Sequence, residues 1–185
     1  MSGRFTIEPT PLEGAVVLRR QPRGDARGFL ERLWCDAELG ELTGNRPIRQ
    51  INRTVTTGRG TVRGLHFQRT PHREIKLVHC LQGRIFDVAV DLRAESSGFG
   101  QWHAVELSGD EPATYVIPEG FAHGFQALSD TCEMLYFHTA AHAPEAEDGL
   151  HPEDPRLAIA WPLPIAQLSL ADRARAFLDS EFVPL

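Results

Sequence analysis

The sequence predicts an all-β protein, built as a sandwich or a barrel of short strands. Segments in which apolar and polar residues alternate recur along the chain, and each is bounded by Gly, Pro, Asp or Ser. Helical periodicity is weak, and there is no internal repeat or low-complexity segment. These observations favour a core that is enclosed by sheets rather than by helices.

The clearest strand is IFDVAVDL, residues 85–92, which places apolar side chains on one face and Asp87 and Asp91 on the other. The segment KLVHCL, residues 76–81, is predicted to form the strand before it. Gly83 lies between the two segments, and a glycine at this position is typical of a β-hairpin turn.

Further strands are predicted at three segments: WHAVEL (102–107), ATYVIP (113–118) and CEMLYFHTA (132–140). Short helical turns are expected around 35–42 and 170–179. Residues 143–168 are rich in Pro and acidic residues and are expected to run over the surface of the barrel. The pattern as a whole predicts a cupin-type double-stranded β-helix (jelly roll) with short peripheral helices, formed by residues 1–185 as a single domain.

Composition excludes several classes of function. The formal net charge is −6 and there is no basic tract, which argues against a nucleic-acid binder but leaves room for a local anion pocket. No apolar run approaches the ~20 residues of a membrane span, and the first ten residues lack the apolar core of a signal peptide. We therefore expect a cytoplasmic protein with no membrane partner. Its three cysteines share no ligand-like spacing, so neither a disulfide framework nor a zinc site is indicated.

The histidines first raise the question of a metal. PEGFAH, residues 118–123, matches the second motif of metal-binding cupins, but His66 and His72 stand six apart where a chelating pair would stand two apart. We therefore expect no metal. His66 is left as a structural residue or as a general base, because its ordinary pKa suits proton transfer at neutral pH.

Two other residue types extend the general-base hypothesis. Lys76 is the only lysine beside eighteen arginines, and an ammonium group can stabilise a developing negative charge. Tyr136 is a candidate acid, although a core aromatic is the simpler interpretation of it alone. Arg27 and Arg63 each precede a glycine and can bind a phosphate or diphosphate, unless they are solvated strand-edge residues. Because Arg63 and His66 would alternate to opposite faces, a bulge at Gly64 is required if both line one pocket.

Four motifs in this order carry a resemblance to a known family: RGLHFQ, G-x-x-FDVAVD, IPEGFAHGF and DP-x-x-x-I-x-W. With the segments between them, they resemble the dTDP-4-dehydrorhamnose 3,5-epimerase family over nearly the whole chain. The resemblance implies a jelly roll without metal or other cofactor, a homodimer, and a nucleoside-diphosphate 4-keto-6-deoxy sugar as substrate. The implied reaction is epimerisation at C3 and C5, most simply of dTDP-4-dehydro-6-deoxy-D-glucose to dTDP-4-dehydro-L-rhamnose.

The resemblance also implies roles for single residues. His66 matches the base, Asp172 the carboxylate that orients it, Tyr136 the acid, and Lys76 the lysine beside the enolate oxygen. Further residues match positions that hold the nucleotide diphosphate or line the pocket, namely Arg27, Gln50, Asn52, Arg63, His123 and Glu147. His142 is assigned to the binding site as well, at a position where the family usually has another residue.

Three residues depart from the family pattern. His142 replaces a tyrosine that stacks on the nucleotide base, Arg32 occupies a position usually held by glutamate, and Ala171 replaces the lysine before the orienting aspartate. These positions contact the nucleotide, so the identity of the base stays open. A single-centre epimerase acting at C3 or C5 on another sugar nucleotide, and a non-catalytic sugar-nucleotide-binding module, stay open as alternatives.

Overall fold

A computed structural model describes residues 3–185, and strands dominate this part of the chain. The strands are β1 (Phe5–Pro9), β2 (Val16–Arg20), β3 (Arg23–Asp25), β4 (Gly28–Leu30), β5 (Gln50–Thr57), β6 (Val62–Gln68), β7 (Lys76–Gln82), β8 (Arg84–Asp91), β9 (Trp102–Ser108), β10 (Ala113–Ile117), β11 (Phe121–Ala127), β12 (Thr131–His138) and β13 (Glu147–Gly149). The helices are α1 (Asp36–Leu39), which continues into a 3-10 turn (Gly40–Thr43), and α2 (Leu170–Arg173). Neither α-helix is long and apolar enough to cross a membrane.

The strands form two main antiparallel sheets and one separate hairpin. One sheet has the order β1-β2-β10-β7-β12-β5 and the other the order β13-β6-β11-β8-β9, while β3 pairs only with β4. Sequence neighbours such as β7 and β8 fall in different sheets, as they do in a jelly roll. The predicted all-β jelly roll with short peripheral helices is therefore confirmed.

The hairpin predicted at Gly83 is wrong. β7 pairs with β10 and β12, whereas β8 pairs with β9 and β11, so the chain crosses from one sheet to the other at this glycine. Gly83 has a φ of +76°, and a Cβ atom here would lie 2.3 Å from the backbone oxygen of Thr131. The glycine is thus required by a close crossing between the sheets.

Three apolar clusters hold the layers together. One fills the space between the two sheets and includes Tyr115 and Phe125. A second covers the outer face of the five-stranded sheet with residues of the C-terminal segment, among them Leu157 and Leu178. A third packs the segment between β4 and β5, including Leu39, onto the outer face of the six-stranded sheet. The central strands of both sheets, such as β7, β10, β8 and β11, are therefore buried on both faces.

This layering explains β8. Phe86, Val88 and Val90 face the outer cluster. Asp87 lies on the other face of the strand with Ile85 and Ala89, toward the interior between the sheets, and is fully buried. The alternation in IFDVAVDL thus separates two buried faces rather than a buried face from a solvated one. The polar side chain turned inward points to a polar site within the barrel.

Candidate active site

A cleft of about 720 Å³ opens between the two sheets. Strands β5, β7 and β12 line one wall and β6 and β11 the other, and residues of the C-terminal segment around α2 close one side. A smaller pocket of about 130 Å³ adjoins it and shares five of its residues. Of the eleven site residues predicted above, the cleft brings together His66, Asp172, Tyr136, Lys76, Asn52, Arg63, His123 and Glu147.

His66 and Asp172 form a hydrogen-bonded pair on one side of the cleft. Nε2 of His66 lies 2.6 Å from Oδ1 of Asp172, whose side chain is buried while that of His66 is partly exposed. Burial raises the pKa of the Asp172 carboxyl, but the hydrogen bond and charge of His66 outweigh it and hold this pKa below its ordinary value. Because the carboxylate only accepts, His66 donates from Nε2 and its Nδ1 is left as the basic nitrogen.

The position of Asp172 is set locally by α2. Ser169 precedes the helix, and its hydroxyl oxygen accepts a hydrogen bond from the backbone N–H of Asp172 at 2.9 Å. This N-cap ends the extended segment and begins α2, which directs the Asp172 carboxylate toward β6. A residue of the C-terminal segment thereby reaches a histidine on a central strand.

The required bulge occurs in β6. His66 pairs with His123 of β11, and Arg63 pairs with Phe125, so three steps along β6 match two steps along β11. Gly64 has a φ of +118°, and a Cβ atom here would lie 2.6 Å from Cα of Gly124. The extra residue returns Arg63 to the face of His66, and both line the cleft.

Lys76 lies at the first position of β7 and is joined to two other polar side chains. Its Nζ is 3.2 Å from Oε1 of Glu74, and Oε2 of Glu74 accepts a hydrogen bond from Nδ1 of His138 at 2.8 Å. Burial alone raises the pKa of Glu74, but the bond to His138 and the charge of Lys76 outweigh it and lower this pKa. Glu74 is therefore an ionised carboxylate between two groups that face the cleft.

Tyr136 lies on β12, deep in the cleft. Burial, followed by the charge of Asp87, raises the pKa of its hydroxyl well above its ordinary value, so the phenol stays protonated at neutral pH. Its hydrogen-bond partner is the sulfur of Met134 at 3.8 Å, a weak acceptor. The hydroxyl proton is thus free for a stronger acceptor in the cleft.

His123 faces Tyr136 from the opposite sheet, with ring centroids 5.9 Å apart. Its Nε2 lies 2.8 Å from Oδ1 of the buried Asp87. Burial raises the pKa of Asp87, and the bond to His123 offsets only part of this effect. Between residues 3 and 185, no three His, Cys, Asp or Glu side chains are grouped as metal ligands would be.

The rim of the cleft carries the remaining predicted residues. Glu147 accepts hydrogen bonds from Nε2 of His142 at 2.7 Å and from Arg175 at 2.9 Å. Gln50 accepts a hydrogen bond from the backbone N–H of His142 and donates one to Asn52. This network joins β5, β13 and the loop before it around the smaller pocket.

Arg27 is not part of this cleft. It lies in the turn between β3 and β4, where its exposed guanidinium pairs with Asp25 at 2.6 Å. Arg32, the second departure from the family pattern, pairs with Glu38 away from the cleft. The third, Ala171, lines the cleft beside Asp172.

Several side chains of the site were not predicted from the sequence, among them Glu74, Asp87, His138 and Arg175. The signal for two of them was a spacing of two, because Glu74 stands two residues before Lys76, and His138 follows Tyr136 on the same face of β12. No local pattern marks Arg175, which comes from the turn after α2.

Comparisons with known proteins identify the family of this chain. A family model described as dTDP-4-dehydrorhamnose 3,5-epimerase matches residues 9–180. The dTDP-4-dehydrorhamnose 3,5-epimerase of Methanothermobacter thermautotrophicus is 41% identical over 159 residues, which cover 86% of this chain and 85% of that protein. The dTDP-4-dehydrorhamnose 3-epimerase of Streptomyces niveus is 38% identical over 170 residues, covering 90% and 81% respectively.

Solved structures show the same relationship. A crystal structure of dTDP-6-deoxy-D-glucose-3,5-epimerase from Legionella pneumophila in complex with dTDP-4-keto-L-rhamnose has a TM-score of 0.90 to this chain, with 38% identity and 97% of each chain covered. Both the match to the family model and the identity to curated relatives extend over most of the chain. The chain therefore belongs to the dTDP-4-dehydrorhamnose 3,5-epimerase family of carbohydrate epimerases.

Proposed function

We propose that this protein inverts C3 and C5 of a nucleoside-diphosphate 4-keto-6-deoxyhexose, most simply converting dTDP-4-dehydro-6-deoxy-D-glucose to dTDP-4-dehydro-L-rhamnose without a cofactor. The observation that carries the proposal is the placement of His66 and Tyr136 in one cleft, on strands of opposite sheets. Inversion needs a base on one face of the sugar and an acid on the other. Two opposed walls supply them.

His66 is the proposed base. The C4 ketone acidifies the hydrogens at C3 and C5, because removal of either proton gives an enolate. Nδ1 of His66 takes the proton, and the imidazolium that forms is stabilised by the Asp172 carboxylate at Nε2. Asp172 is well suited to this role because its lowered pKa keeps it ionised at neutral pH.

Lys76 is proposed to stabilise the enolate oxygen. Its side chain is largely withdrawn from solvent, so its charge acts on the developing oxyanion with little screening by water. Glu74 holds the ammonium in place through one carboxylate oxygen. No group has to reorient when the charge develops on the substrate.

Tyr136 is the proposed acid. The raised pKa keeps its proton in place until a strong base, the enolate carbon, lies next to it. Delivery from the face opposite His66 inverts the carbon. Before the next turnover, the His66 imidazolium gives its proton to solvent and the tyrosinate takes one up from solvent or from a neighbouring group.

The nucleotide is proposed to bind along the arginine-lined part of the cleft. Arg63 lies beside the bulge with one nitrogen held by Thr56 at 3.0 Å, which leaves the other guanidinium N–H groups for diphosphate oxygens. His123 faces the same space, and the network of Gln50, His142 and Glu147 is proposed to contact the base or the sugar.

We also propose a homodimer. Arg27 lies outside the cleft of its own chain, on a hairpin that exposes Phe29 and Leu30. β5 is an edge strand of the six-stranded sheet and exposes Ile51 and Val55. Exposed apolar residues on an open edge favour pairing with a second copy. Light scattering of the purified protein tests this proposal, which a monomer at micromolar concentration would contradict.

The decisive experiment is incubation with dTDP-4-keto-6-deoxyglucose in D₂O, with NMR used to count deuterium at C3 and C5. Exchange at both carbons with inversion is expected. Exchange at one carbon would favour a single-centre epimerase, the activity in the name of the Streptomyces niveus relative. No exchange with any nucleotide sugar tested would contradict the catalytic proposal and favour a non-catalytic binding module.

A further inference from the structure

The cleft contains a histidine that the proposed reaction does not use. His138 lies on β12 two residues after Tyr136 and lines both the main cleft and the smaller pocket beside it. It stands directly opposite Lys76 in the pairing of β12 with β7. Its side chain, like that of Lys76, is largely buried.

Glu74 holds His138 and Lys76 together. One carboxylate oxygen forms an ion pair with Nζ of Lys76 at 3.2 Å, and the other accepts a hydrogen bond from Nδ1 of His138 at 2.8 Å. The Glu74 side chain is itself 8% exposed, so this bridge is shielded from water. The bridge fixes the direction of the imidazole ring with respect to the ammonium group.

The contact with Glu74 also determines which nitrogen of His138 carries a proton. Because the carboxylate accepts at Nδ1, the neutral ring has its proton there and presents a lone pair at Nε2. The polar neighbour of Nε2 is the side-chain amide nitrogen of Asn52, a donor, at the long distance of 3.5 Å. In the neutral ring, Nε2 is therefore an acceptor on the side of the cleft, with a weak contact that a ligand can replace.

We propose that Nε2 of His138 accepts a hydrogen bond from the C3 hydroxyl of the substrate sugar and so selects sugars that carry this hydroxyl. The proposal rests on the proposed function, because it takes the C4 oxygen to lie beside Lys76. The carbons next to C4 are C3, which bears a hydroxyl, and C5, which bears a methyl group and the ring oxygen. Of these two, only C3 offers an O–H donor to the acceptor beside Lys76.

The test compares the 4-keto-6-deoxy sugar nucleotide with its 3-deoxy analogue, using kcat/KM for deuterium uptake from D₂O next to the ketone. The wild-type protein should prefer the hydroxylated substrate by about tenfold, the effect of one buried hydrogen bond. His138→Phe keeps a ring of similar size and should remove this preference. His138→Gln places an amide oxygen near the position of Nε2 and should restore most of it.

Two controls make the result specific. His72→Phe changes a partly exposed histidine outside the cleft and should keep the wild-type preference. Thermal melting of each variant shows whether it is folded, and Glu74→Gln, which keeps an accepting oxygen, serves as a milder second variant if His138→Phe does not fold. Glu74→Gln should weaken the preference for the hydroxylated substrate, because the imidazole ring of His138 is then held less firmly.

The outcomes separate the two proposals. If His138→Phe slows both substrates equally and keeps the preference, the hydroxyl contact is wrong while the epimerase proposal stands. A wild-type protein that treats both substrates alike would also contradict the hydroxyl contact and leave the epimerase proposal intact. If the wild-type protein takes up no deuterium from either substrate, the proposed function itself fails and the hydroxyl contact fails with it.

Discussion

The Asp172 carboxylate lies 2.6 Å from Nε2 of His66, although 106 residues separate the two in the chain. The contact joins a strand of the barrel to the segment that covers its outer face. We expect Asp172→Asn to lower kcat for deuterium uptake by about 10²–10⁴-fold, because the amide can donate to Nε2 and so favours the wrong tautomer. Asp110→Asn, in an exposed turn, is the matched control and should leave kcat unchanged. An Asp172→Asn variant with wild-type turnover would show that His66 acts without this carboxylate.

Tyr136→Phe should separate exchange from inversion. His66 can still remove a proton and return a deuteron on its own face, but the opposite face has lost its acid. Deuterium uptake with retained configuration should therefore fall less than inversion, which should fall about 10²–10⁴-fold. NMR of the sugar products measures both quantities in one sample.

Tyr115 provides the control for this substitution, because it is the only other tyrosine. Its hydroxyl is buried without a hydrogen-bond partner among the described residues, and it does not line the cleft. Tyr115→Phe should therefore keep both exchange and inversion. Equal losses in the two variants would mean that Tyr136 acts only through packing.

Gly64→Ala should destabilise the fold by roughly 2–4 kcal/mol, since it combines a disfavoured backbone conformation with overpacking. The residue has a φ of +118°, and its new methyl group would meet Cα of Gly124 and the backbone oxygen of His123. Urea denaturation measures the free energy of unfolding. Gly44→Ala, with a φ of +58° and no atom within 4 Å of the new methyl group, isolates the backbone effect and should cost about 1 kcal/mol. If both variants lost the same free energy of unfolding, β6 would have to shift to make room for the methyl group at residue 64.

Stability should depend on pH through His79, which lies outside the cleft. Burial lowers the pKa of His79 from 6.5 to about 3, and the nearby charge of Arg20 contributes to this shift. Because the folded-state pKa is depressed, the unfolded chain takes up a proton first as the pH falls below 6.5. The stability that neutral His79 contributes is therefore present above pH 6.5 and is lost toward pH 3.

The measurement is the free energy of unfolding between pH 7 and pH 4 for the wild-type protein and for His79→Gln. The wild-type value should fall more steeply, by up to roughly 1.4 kcal/mol for each pH unit. His72→Gln, which changes a partly exposed histidine, should follow the wild-type slope. Parallel curves for His79→Gln and the wild type would contradict the linkage.

Much of this fold was predictable because alternation with a period of two identifies strands directly. The strands at 85–92 and 113–118 were predicted within two residues of β8 and β10. Alternation does not say which sheet a strand joins, and for this reason a hairpin was expected at Gly83 where the chain crosses between sheets. The short helices lie within the regions predicted for them.

The site was predictable to a similar degree. Motif resemblance named His66, Lys76, Tyr136 and Asp172, and the structure brings all four into one cleft. The contact partners were harder to predict, because the bonds of Glu74 to His138 and of Asp87 to His123 depend on strand pairing rather than on local sequence. Arg27 shows how far a resemblance in sequence can locate a residue. Its motif implied a position at the binding pocket, but Arg27 lies outside the cleft of its own chain.

The extra residue in β6 constrains how this protein can evolve. Three steps from Arg63 to His66 keep both side chains in the cleft, and removal of one residue between them would turn one of the two toward the outer apolar layer. Many substitutions in this stretch change one contact, whereas a single deletion exchanges the inner and outer faces of part of the strand. Among descendants of this sequence, we therefore expect the number of residues between Arg63 and His66 to be held more strictly than their identities, while insertions accumulate in the surface loops.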